Sequence, residues 1–281
     1  MSVPRPVLRY LGGKFRLAPW IIEHLPPHKV YIEPFGGAAN VLLRKPRSAV
    51  EIYNDLDDDV VNLFRVLRDE SQSNKLIELL ELTPFARAEF LAAYEHTDEP
   101  VERARRMVVR SFMGHGSCAA RIDRTTGFRG INLAAGNPSP PRTFVNYPDA
   151  LREIVRRLAG VAIEQQPAAE LIAAQDGADV LFYVDPPYVH ATRSQKRTRQ
   201  APSNGYVHEL SDEDHVDLLT LLNGLRGMVV LSGYDHPLYA SALAGWERRE
   251  KATLADGGKP RVEVLWLNTR AARRDLFGVA A

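Results

Sequence analysis

The chain has 281 residues, 45% of them apolar, and a formal net charge of +1, which fits one large α/β domain or one with an insertion. Its single cysteine, Cys118, excludes an internal disulfide and a cysteine-rich metal site, and it predicts a reducing, cytoplasmic environment. No apolar run is long enough to cross a bilayer, so the sequence predicts no membrane partner.

The first stretch with a chemical signature is RYLGGK, Arg9 to Lys14, which precedes an apolar pattern typical of an amphipathic helix, FRLAPWIIEHL. Gly12 and Gly13 permit tight backbone geometry, so the Lys14 ammonium can be held near the start of that helix to meet a carboxylate. The alternative is an ordinary glycine turn with Lys14 in solvent. The local pattern alone favours that alternative.

A short strand at Val30 to Ile32 ends in the turn EPFGGA, and we expect a helix to begin near Asn40. A strand, a glycine turn and a helix form the first unit of a nucleotide-binding α/β fold, where missing side chains let a ligand approach the backbone. The turn lacks the glycine patterns that cradle phosphates, and Glu33 would repel a phosphate. A nucleoside ligand without phosphate fits this turn better.

The second strand, Ala49 to Tyr53, ends at Asn54-Asp55, and Asp55 lies 18 residues after Gly37. An acid in that position holds ribose hydroxyls in such folds, so Asp55 is the candidate for that role. The next acids, Asp57 to Asp59, precede an apolar helical pattern, and we assign them to the start of that helix.

From Asp69 to Pro148 the pattern changes to helical stretches and then to an irregular glycine-rich segment, Gly114 to Pro141, which indicates an insertion between the second and third strands. Arginines beside an aromatic residue on a loop suit phosphate contact and reading of base edges. In this segment they are Arg121, Arg124 and Arg129, with Phe128. A solvated loop is the alternative, which a charge run alone favours.

After a helix at Tyr147 to Leu158 and a third strand at Val161 to Glu164, the chain reaches LFYVDPPY, in which a buried strand stops at Asp185. Open α/β sheets carry their chemistry at such strand ends. The two prolines that follow fix the backbone and donate no N–H, so Asp185 and the Pro186 carbonyl form a rigid pair of acceptors. That pair matches an amino group with two hydrogens, and the Tyr188 ring can stack on its heterocycle. The alternative is an edge-strand acid before a proline turn.

The segment from Val189 to Asn204 contains no acid and four cations, Arg193, Lys196, Arg197 and Arg199. A long cationic loop directly beyond the candidate site suits a clamp on a polyanion, although disordered surface is the alternative. Farther on, the spacing of Ser211 and Asp214 predicts a capping box. A buried strand is predicted at Met228 to Leu231, which ends at Ser232-Gly233-Tyr234, and the last clear strand is predicted at Val262 to Leu267.

RYLGGK, IEPFGG, Asn54-Asp55 and DPPY, in this order, resemble the Dam-like (D12 class) DNA adenine N6-methyltransferases, especially the phage-type members. The resemblance runs nearly end to end and is weakest in the insertion. It implies an α/β fold of the Rossmann-like, S-adenosylmethionine-dependent methyltransferase type, with a mostly parallel seven-stranded sheet and one reversed strand. Residues 1–68 and 149–281 would form the catalytic domain, and residues 69–148 a helical target-recognition insertion that binds DNA.

The same resemblance implies roles for individual residues. The catalytic residues would be Asp185, Pro186, Pro187 and Tyr188. The cofactor, S-adenosyl-L-methionine, would be bound by Tyr10, Gly13, Lys14, Glu33, Pro34, Phe35, Gly36, Gly37, Asp55, Gln166 and Asp185. Double-stranded DNA would be bound by Arg121, Arg124, Arg129, Arg193, Lys196 and Arg197. Such enzymes often carry an acid after the third strand, where this chain has Gln165-Gln166-Pro167, and Gln166 would then hydrogen-bond the cofactor's adenine instead.

The implied reaction is direct methyl transfer to the exocyclic nitrogen of an adenine flipped out of the duplex, with no metal required. Accepting its hydrogens on Asp185 and on the Pro186 carbonyl would make that nitrogen more electron-rich. A partner restriction endonuclease is left open. Two rival functions remain: an amino methyltransferase for cytosine N4 or protein glutamine, and a non-catalytic DNA-binding relative, for which only Pro167 speaks.

Overall fold

The computed structural model describes residues 3–116, 120–123, 125–130, 139–192, 206–254 and 260–272. The chain divides into two compact units. The first, which we call the helical unit, comprises Met1–Phe15, Gly37–Arg44 and Asp57–Ala159. The second, the sheet unit, comprises Arg16–Gly36, Lys45–Leu56 and Gly160–Ala281. The functional division predicted at residues 69–148 stays a prediction.

The sheet unit is built on seven strands, β1 (Val30–Glu33), β2 (Val50–Asn54), β3 (Val161–Glu164), β4 (Val180–Val184), β5 (Met228–Gly233), β6 (Glu247–Leu254) and β7 (Pro260–Leu267). Their order in the sheet is β3-β2-β1-β4-β5-β7-β6. β7 pairs antiparallel with β5 and β6, whereas the pairs among β1 to β5 are parallel. The predicted mostly parallel sheet with one reversed strand is therefore confirmed.

The two neighbouring strands at the middle of the sheet, β4 and β5, are apolar up to Ser232 near the end of β5. Every residue of β4 and of β5 is buried, as expected for parallel strands covered on both faces. The α-helices among the described residues of this unit are α1 (Ala18–Glu23), α8 (Ala168–Ala174), α9 (Asp212–Gly224) and α10 (Pro237–Ala242). α9 begins with the predicted capping box, in which Ser211 and Asp214 satisfy each other's backbone N–H groups.

The helical unit contains α2 (Asp58–Arg68), α3 (Glu70–Leu82), α4 (Arg87–Ala92), α5 (Pro100–Met113), α6 (Pro140–Val145) and α7 (Tyr147–Leu158). Asp57 caps α2 by accepting a hydrogen bond from the Asp59 N–H, which confirms its predicted place at a helix start. Arg110 of α5 is 2% exposed, and its guanidinium donates to the Ala93 and Ala120 carbonyls. In the described ranges, no helix is long and apolar enough to span a membrane.

The prediction that a helix begins near Asn40 is wrong, because residues 37–44 form turns instead. Ala39 has a φ of 50°, a left-handed conformation that interrupts a right-handed helix. The Leu42 carbonyl accepts a hydrogen bond at 2.5 Å from the Arg157 guanidinium of α7. A proline also follows at residue 46, and the residue before a proline disfavours helical geometry.

A buried polar cluster lies before β1 and β2, at the end of the sheet opposite the predicted site. Lys45 Nζ lies 2.7 Å from Glu51 Oε1 and also donates to Ser48 Oγ at 2.7 Å. Ser48 Oγ lies 2.9 Å from His28 Nε2, and His28 Nδ1 lies 2.7 Å from the Pro26 carbonyl. With Nδ1–H donating to that carbonyl, neutral His28 accepts the Ser48 hydroxyl.

This geometry predicts that His28 weakens the fold as the pH falls. Burial, and secondarily the charge of Lys45, lower the pKa of His28 below its ordinary value of 6.5, so the unfolded chain binds a proton more readily. The stability that His28 contributes is present above that value and is lost as the pH falls through the folded-state pKa, by about 1.4 kcal/mol for each unit of lowering. The free energy of unfolding, measured from neutral to mildly acidic pH, should fall less steeply for His28→Gln. Parallel curves would contradict this assignment.

Candidate active site

The candidate residues of the sheet unit gather at one edge of the sheet. Because β1 to β5 run parallel, their carboxyl ends meet there. The segments at these strand ends are residues 33–36, 54–55, 165–167, 185–188 and 232–234. β4 lies between β1 and β5, so the edge-strand interpretation of Asp185 is wrong.

Asp185 is half-buried directly after β4, with a buried Pro186 behind it. Val184 pairs with Leu231 in the parallel register, which brings the residue after each of them to the same place. Ser232 Oγ accordingly donates a hydrogen bond of 2.8 Å to Asp185 Oδ1. The carboxylate at the end of β4 is thus oriented by the neighbouring strand, and the prolines fix the backbone on its other side.

Tyr188 is only 6% exposed and is held by its hydroxyl and its ring. The hydroxyl donates to Glu263 Oε2 at 3.0 Å and lies 3.1 Å from Ser232 Oγ. The ring meets Tyr234 edge to face, with centroids 4.6 Å apart. Burial, and then the charge of Asp185, raise the pKa of Tyr188 well above its ordinary value, so its hydroxyl keeps its proton. Stacking of Tyr188 on a target base stays a prediction.

Asn54, the last residue of β2, joins the segments that follow β1 and β3. Its side chain is fully buried. The amide donates to the Pro34 carbonyl at 2.8 Å and to the Gln166 carbonyl at 3.0 Å, and its oxygen accepts from the Gln166 N–H at 3.0 Å. The Asn54 carbonyl also accepts from the Gly36 N–H at 2.8 Å. One side chain therefore positions the backbone on both sides of Asp55, which is half-buried.

Packing within the protein requires a glycine at position 36. A Cβ at Gly36 would lie 2.2 to 2.9 Å from ring atoms of Tyr53, which is closer than real Cβ contacts. The glycine therefore makes room for Tyr53 in addition to any ligand. Glu33, at the end of β1, is 2% exposed and accepts a hydrogen bond of 2.7 Å from the Tyr31 hydroxyl.

After β3 the chain has Gln165-Gln166-Pro167 where the enzymes that it resembles often carry an acid. Gln166 Nε2 donates to Glu164 Oε2 at 3.3 Å. Pro167 occupies the position before the first residue of α8 with a φ of −53°, and its carbonyl accepts from the Leu171 N–H at 3.2 Å. Pro167 thus starts a helix, which gives its presence a structural reason.

In the helical unit, Tyr10 to Gly13 form a tight turn. The Gly13 N–H donates to the Tyr10 carbonyl at 3.1 Å, and Gly12 has a φ of 72°, as a type II turn requires at its third residue. Lys14 is 6% exposed, and its ammonium donates to the Gly12 carbonyl at 2.7 Å. The interpretation with Lys14 in solvent is therefore wrong.

Beside this turn the protein presents an acceptor without a donor. Asn40 is buried, and within the described residues its Oδ1 accepts no hydrogen bond. A Cβ at Gly13 would lie 3.0 Å from Asn40 Nδ2, so the glycine keeps that amide accessible. Gly37 has a φ of 47°, and a Cβ there would lie 3.3 Å from the Tyr10 ring. Buried acceptors normally have partners, so Asn40 calls for a donor from a ligand or from water.

Two of the residues predicted to bind DNA are described, and both are half-buried in the helical unit. Arg121 pairs with Asp123. Arg129 donates its backbone N–H to the Met113 carbonyl at 2.6 Å. Its neighbour Phe128 packs on Phe90, with ring centroids 5.7 Å apart. The others, Arg124, Arg193, Lys196 and Arg197, lie outside the described residues.

Sequence reasoning did not assign a role to Ser232, Glu263 or the side chain of Asn54. A signal existed for two of them, because a polar residue after a buried apolar strand marks the carboxyl edge of the sheet. Glu263 gave no such signal, since it lies on the reversed strand β7, and only the antiparallel pairing brings it to that edge. Among the described residues, no group of three or more His, Cys, Asp or Glu side chains could hold a metal ion.

Replacing Asn54 with alanine should destabilise the sheet unit by about 2 kcal/mol, because the buried Pro34 carbonyl and the half-buried Gln166 backbone would lose their hydrogen-bond partner. Asn62→Ala is the matched control, since the Asn62 amide makes one exposed hydrogen bond to the Pro100 carbonyl, and it should cost less than about 1 kcal/mol. Urea unfolding measures both changes. Equal effects would contradict a joining role for Asn54.

Comparison with known proteins gives a consistent result. A family model described as D12 class N6 adenine-specific DNA methyltransferase matches residues 10–245. The DNA adenine methylase of Escherichia coli K12 is 26% identical over 262 residues, which cover 89% of this chain and 87% of that protein. The DNA adenine methylase of Serratia marcescens is 37% identical over 68 residues, 24% of this chain and 25% of that protein. That of Vibrio cholerae is 33% identical over 73 residues, 26% of each.

Proposed function

The chain belongs to the D12 class N6 adenine-specific DNA methyltransferases, and on that premise we propose that Asp185 to Tyr188 bind an adenine flipped out of double-stranded DNA for methylation of its N6 amino group. The observation that carries this proposal is the position of Asp185. Its carboxylate lies at the carboxyl end of a central strand, is oriented by Ser232, and is followed by a buried proline. That arrangement offers fixed acceptors to an amino group.

The family implies S-adenosylmethionine as the methyl donor, and the residues present fit it. When bound, it supplies a methyl group on a positively charged sulfur. The Lys14 ammonium, already buried, suits its carboxylate, and the Asn40 oxygen suits its ammonium. We assign Asp55 to the ribose hydroxyls and Gln166 to the adenine ring. Tyr10, Gly13, Glu33 to Gly37 and Asp185 complete the proposed binding set.

The amino nitrogen of adenine is a poor nucleophile because its lone pair is delocalised into the ring. We propose that Asp185 and the Pro186 carbonyl accept its two hydrogens, which localises the lone pair on nitrogen. Tyr188 would contact the ring of the flipped base, and the energy of unstacking that base is on the order of a few kcal/mol. Pro187 keeps the chain rigid between these contacts.

For DNA recognition we propose the helical insertion, residues 69–148, with its arginines. Arg121 and Arg129 would contact phosphates or base edges there, together with Arg124. The cations after the candidate site would contact the DNA backbone as well, and they are Arg193, Lys196 and Arg197. Arg121 would exchange its Asp123 partner for the nucleic acid.

The proposal is tested by incubating the protein with methyl-labelled S-adenosylmethionine and unmethylated DNA of mixed sequence, followed by digestion to nucleosides. The expected product is labelled N6-methyladenine. Label in N4-methylcytosine or in a protein glutamine would support the first rival function. Binding of labelled cofactor and DNA without any transfer would support a non-catalytic relative.

A further inference from the structure

Two hydroxyl side chains, those of Ser232 and Tyr188, link the candidate catalytic carboxylate to a second carboxylate deeper in the sheet unit. Asp185 Oδ1 lies 2.8 Å from Ser232 Oγ, Ser232 Oγ lies 3.1 Å from the Tyr188 hydroxyl, and that hydroxyl lies 3.0 Å from Glu263 Oε2. We call these residues the Asp185–Glu263 chain. All of its contacts join two oxygen atoms at hydrogen-bonding distance. The role argued here for Ser232 and Glu263 rests on the proposed function of Asp185.

A count of hydrogens shows that the Asp185–Glu263 chain of side chains can take up one more proton. Each of the three contacts needs a hydrogen, and the hydroxyls of Ser232 and Tyr188 supply one each. When Asp185 and Glu263 are both ionised, one contact therefore lacks a hydrogen. Ser232 donates to Asp185 and Tyr188 donates to Glu263, so the contact without its own hydrogen is Ser232 to Tyr188, the longest at 3.1 Å.

We propose that Glu263 accepts, through Tyr188 and Ser232, the proton that the target amino group loses when it is methylated. The N–H bond breaks, its electron pair stays on nitrogen, and the proton passes to the Asp185 carboxylate. Asp185 then protonates Ser232 while Ser232 passes its own proton to Tyr188 and Tyr188 passes its proton to Glu263. The net change is one proton moved to Glu263, and Asp185 is ionised again for the next turnover.

The surroundings of Glu263 suit an acceptor that is ionised before the reaction. Glu263 is 8% exposed, and Lys251 lies directly opposite it on β6. Arg261, two residues earlier on β7, places its guanidinium 4.8 Å from the centre of the Tyr234 ring. Both cationic side chains start from the same face of the paired strands β6 and β7 as Glu263, and cations on one face with a carboxyl group favour its ionised form. Tyr183 and Tyr188 stay protonated, because burial, followed by the charge of Asp185, raises the pKa of each.

Solvent lies close to the Glu263 end of the Asp185–Glu263 chain. Glu263 itself is 8% exposed, so a proton on its carboxyl group can reach solvent. Hydroxyl groups relay protons readily because each can donate one hydrogen while accepting another.

The test compares Glu263→Gln with Glu250→Gln. Glutamine keeps the shape of Glu263 and accepts the Tyr188 hydrogen bond but takes no proton, so kcat should fall by about tenfold or more. The KM values for cofactor and DNA should stay within about twofold of wild type, because Glu263 is not among the residues proposed to bind either ligand. Glu250 is exposed on β6, with a side-chain accessibility of 52%, and its substitution should leave kcat unchanged.

The pH profile separates relay from structural support. If both carboxylates must be ionised, log kcat of the wild type falls towards acid with a limiting slope of about two, and of Glu263→Gln with a slope of about one. Ser232→Ala should show the same loss of kcat and the same slope as Glu263→Gln. Ser232→Thr, which restores a hydroxyl, should regain most of the wild-type kcat. Unfolding temperature and cofactor binding identify any variant that fails to fold.

A Glu263→Gln enzyme that folds and keeps both the wild-type kcat and the wild-type slope would overturn the relay alone. A wild-type protein that binds cofactor and DNA but makes no N6-methyladenine would overturn the proposed function, and the relay with it. A wild-type slope of about one would also contradict the relay, because only Asp185 would then need to be ionised.

Discussion

Replacing Asp185 with alanine is expected to lower the rate of methyl transfer by roughly 10³-fold or more, because the target amino group loses its charged acceptor. The Pro186 carbonyl remains and cannot compensate, since one neutral acceptor binds only one of the two hydrogens. The affinity for DNA should stay within about threefold, because phosphate contacts dominate that affinity. Single-turnover transfer of labelled methyl groups and DNA binding at fixed salt measure the two quantities.

Asp179→Ala is the matched control for this experiment. Asp179 directly precedes β4, at the end of the strand opposite Asp185, and pairs with the exposed Lys29 at 3.0 Å. An exposed ion pair contributes less than about 1 kcal/mol, so this variant should keep its activity. Transfer at the wild-type rate by Asp185→Ala would end the proposed mechanism.

Replacing Glu51 with glutamine is expected to lower the free energy of unfolding by about 3–5 kcal/mol, because it leaves the Lys45 ammonium buried without its counter-charge. The side chains of Lys45 and Glu51 are 2% and 3% exposed. The ammonium also lies 4.3 Å from the centre of the Tyr31 ring, which supplies only part of the lost attraction. Denaturant unfolding measures the change.

The double variant Lys45→Met with Glu51→Leu should recover most of that loss, because a buried ion pair and apolar side chains of similar size differ little in stability. Lys29→Met is the control at an exposed pair, with side-chain accessibilities of 75% and 47%, and should cost less than about 1 kcal/mol. If Glu51→Gln and Lys29→Met have equal effects, the Lys45 to Glu51 pair does not stabilise the sheet unit as described.

The strands of the sheet could be predicted where a local sequence pattern marks them. β4 is apolar along its whole length and β5 as far as Leu231, and the strand at Val161–Glu164 was predicted with the bounds that the structure shows. The reversed strand came from the family resemblance, because antiparallel pairing of β7 depends on contacts between distant segments. A strand of a parallel sheet is easy to detect because both of its faces are buried.

β6 was not predicted, and its position in the sheet explains why. It reads ERREKATL, which lacks the apolar alternation of a half-buried strand. β6 lies at the edge of the sheet and pairs with β7, where charged side chains discourage pairing with another chain. The absence of the helix predicted near Asn40 also depends on contacts between distant segments. The side chain of Arg157, 115 residues away, binds the Leu42 carbonyl.

The candidate site was predictable where one residue carries the chemistry and not where residues act together. Asp185 stands out because a carboxylate ends an apolar strand before two prolines. Ser232, Tyr188 and Glu263 come from three separate segments, and only the pairing of β4, β5 and β7 unites them. Gly36 illustrates the same limit, since the ring it accommodates belongs to Tyr53 on β2.

A crystal structure of the protein with a donor analogue and duplex DNA would show directly whether Asp185 holds the target base. We expect one adenine outside the duplex, with its amino nitrogen within about 3 Å of both an Asp185 oxygen and the Pro186 carbonyl. The Tyr188 ring should contact that base. A target base that stays stacked in the duplex, or a flipped base held by other residues while Asp185 points into the protein, would refute the proposed role of Asp185.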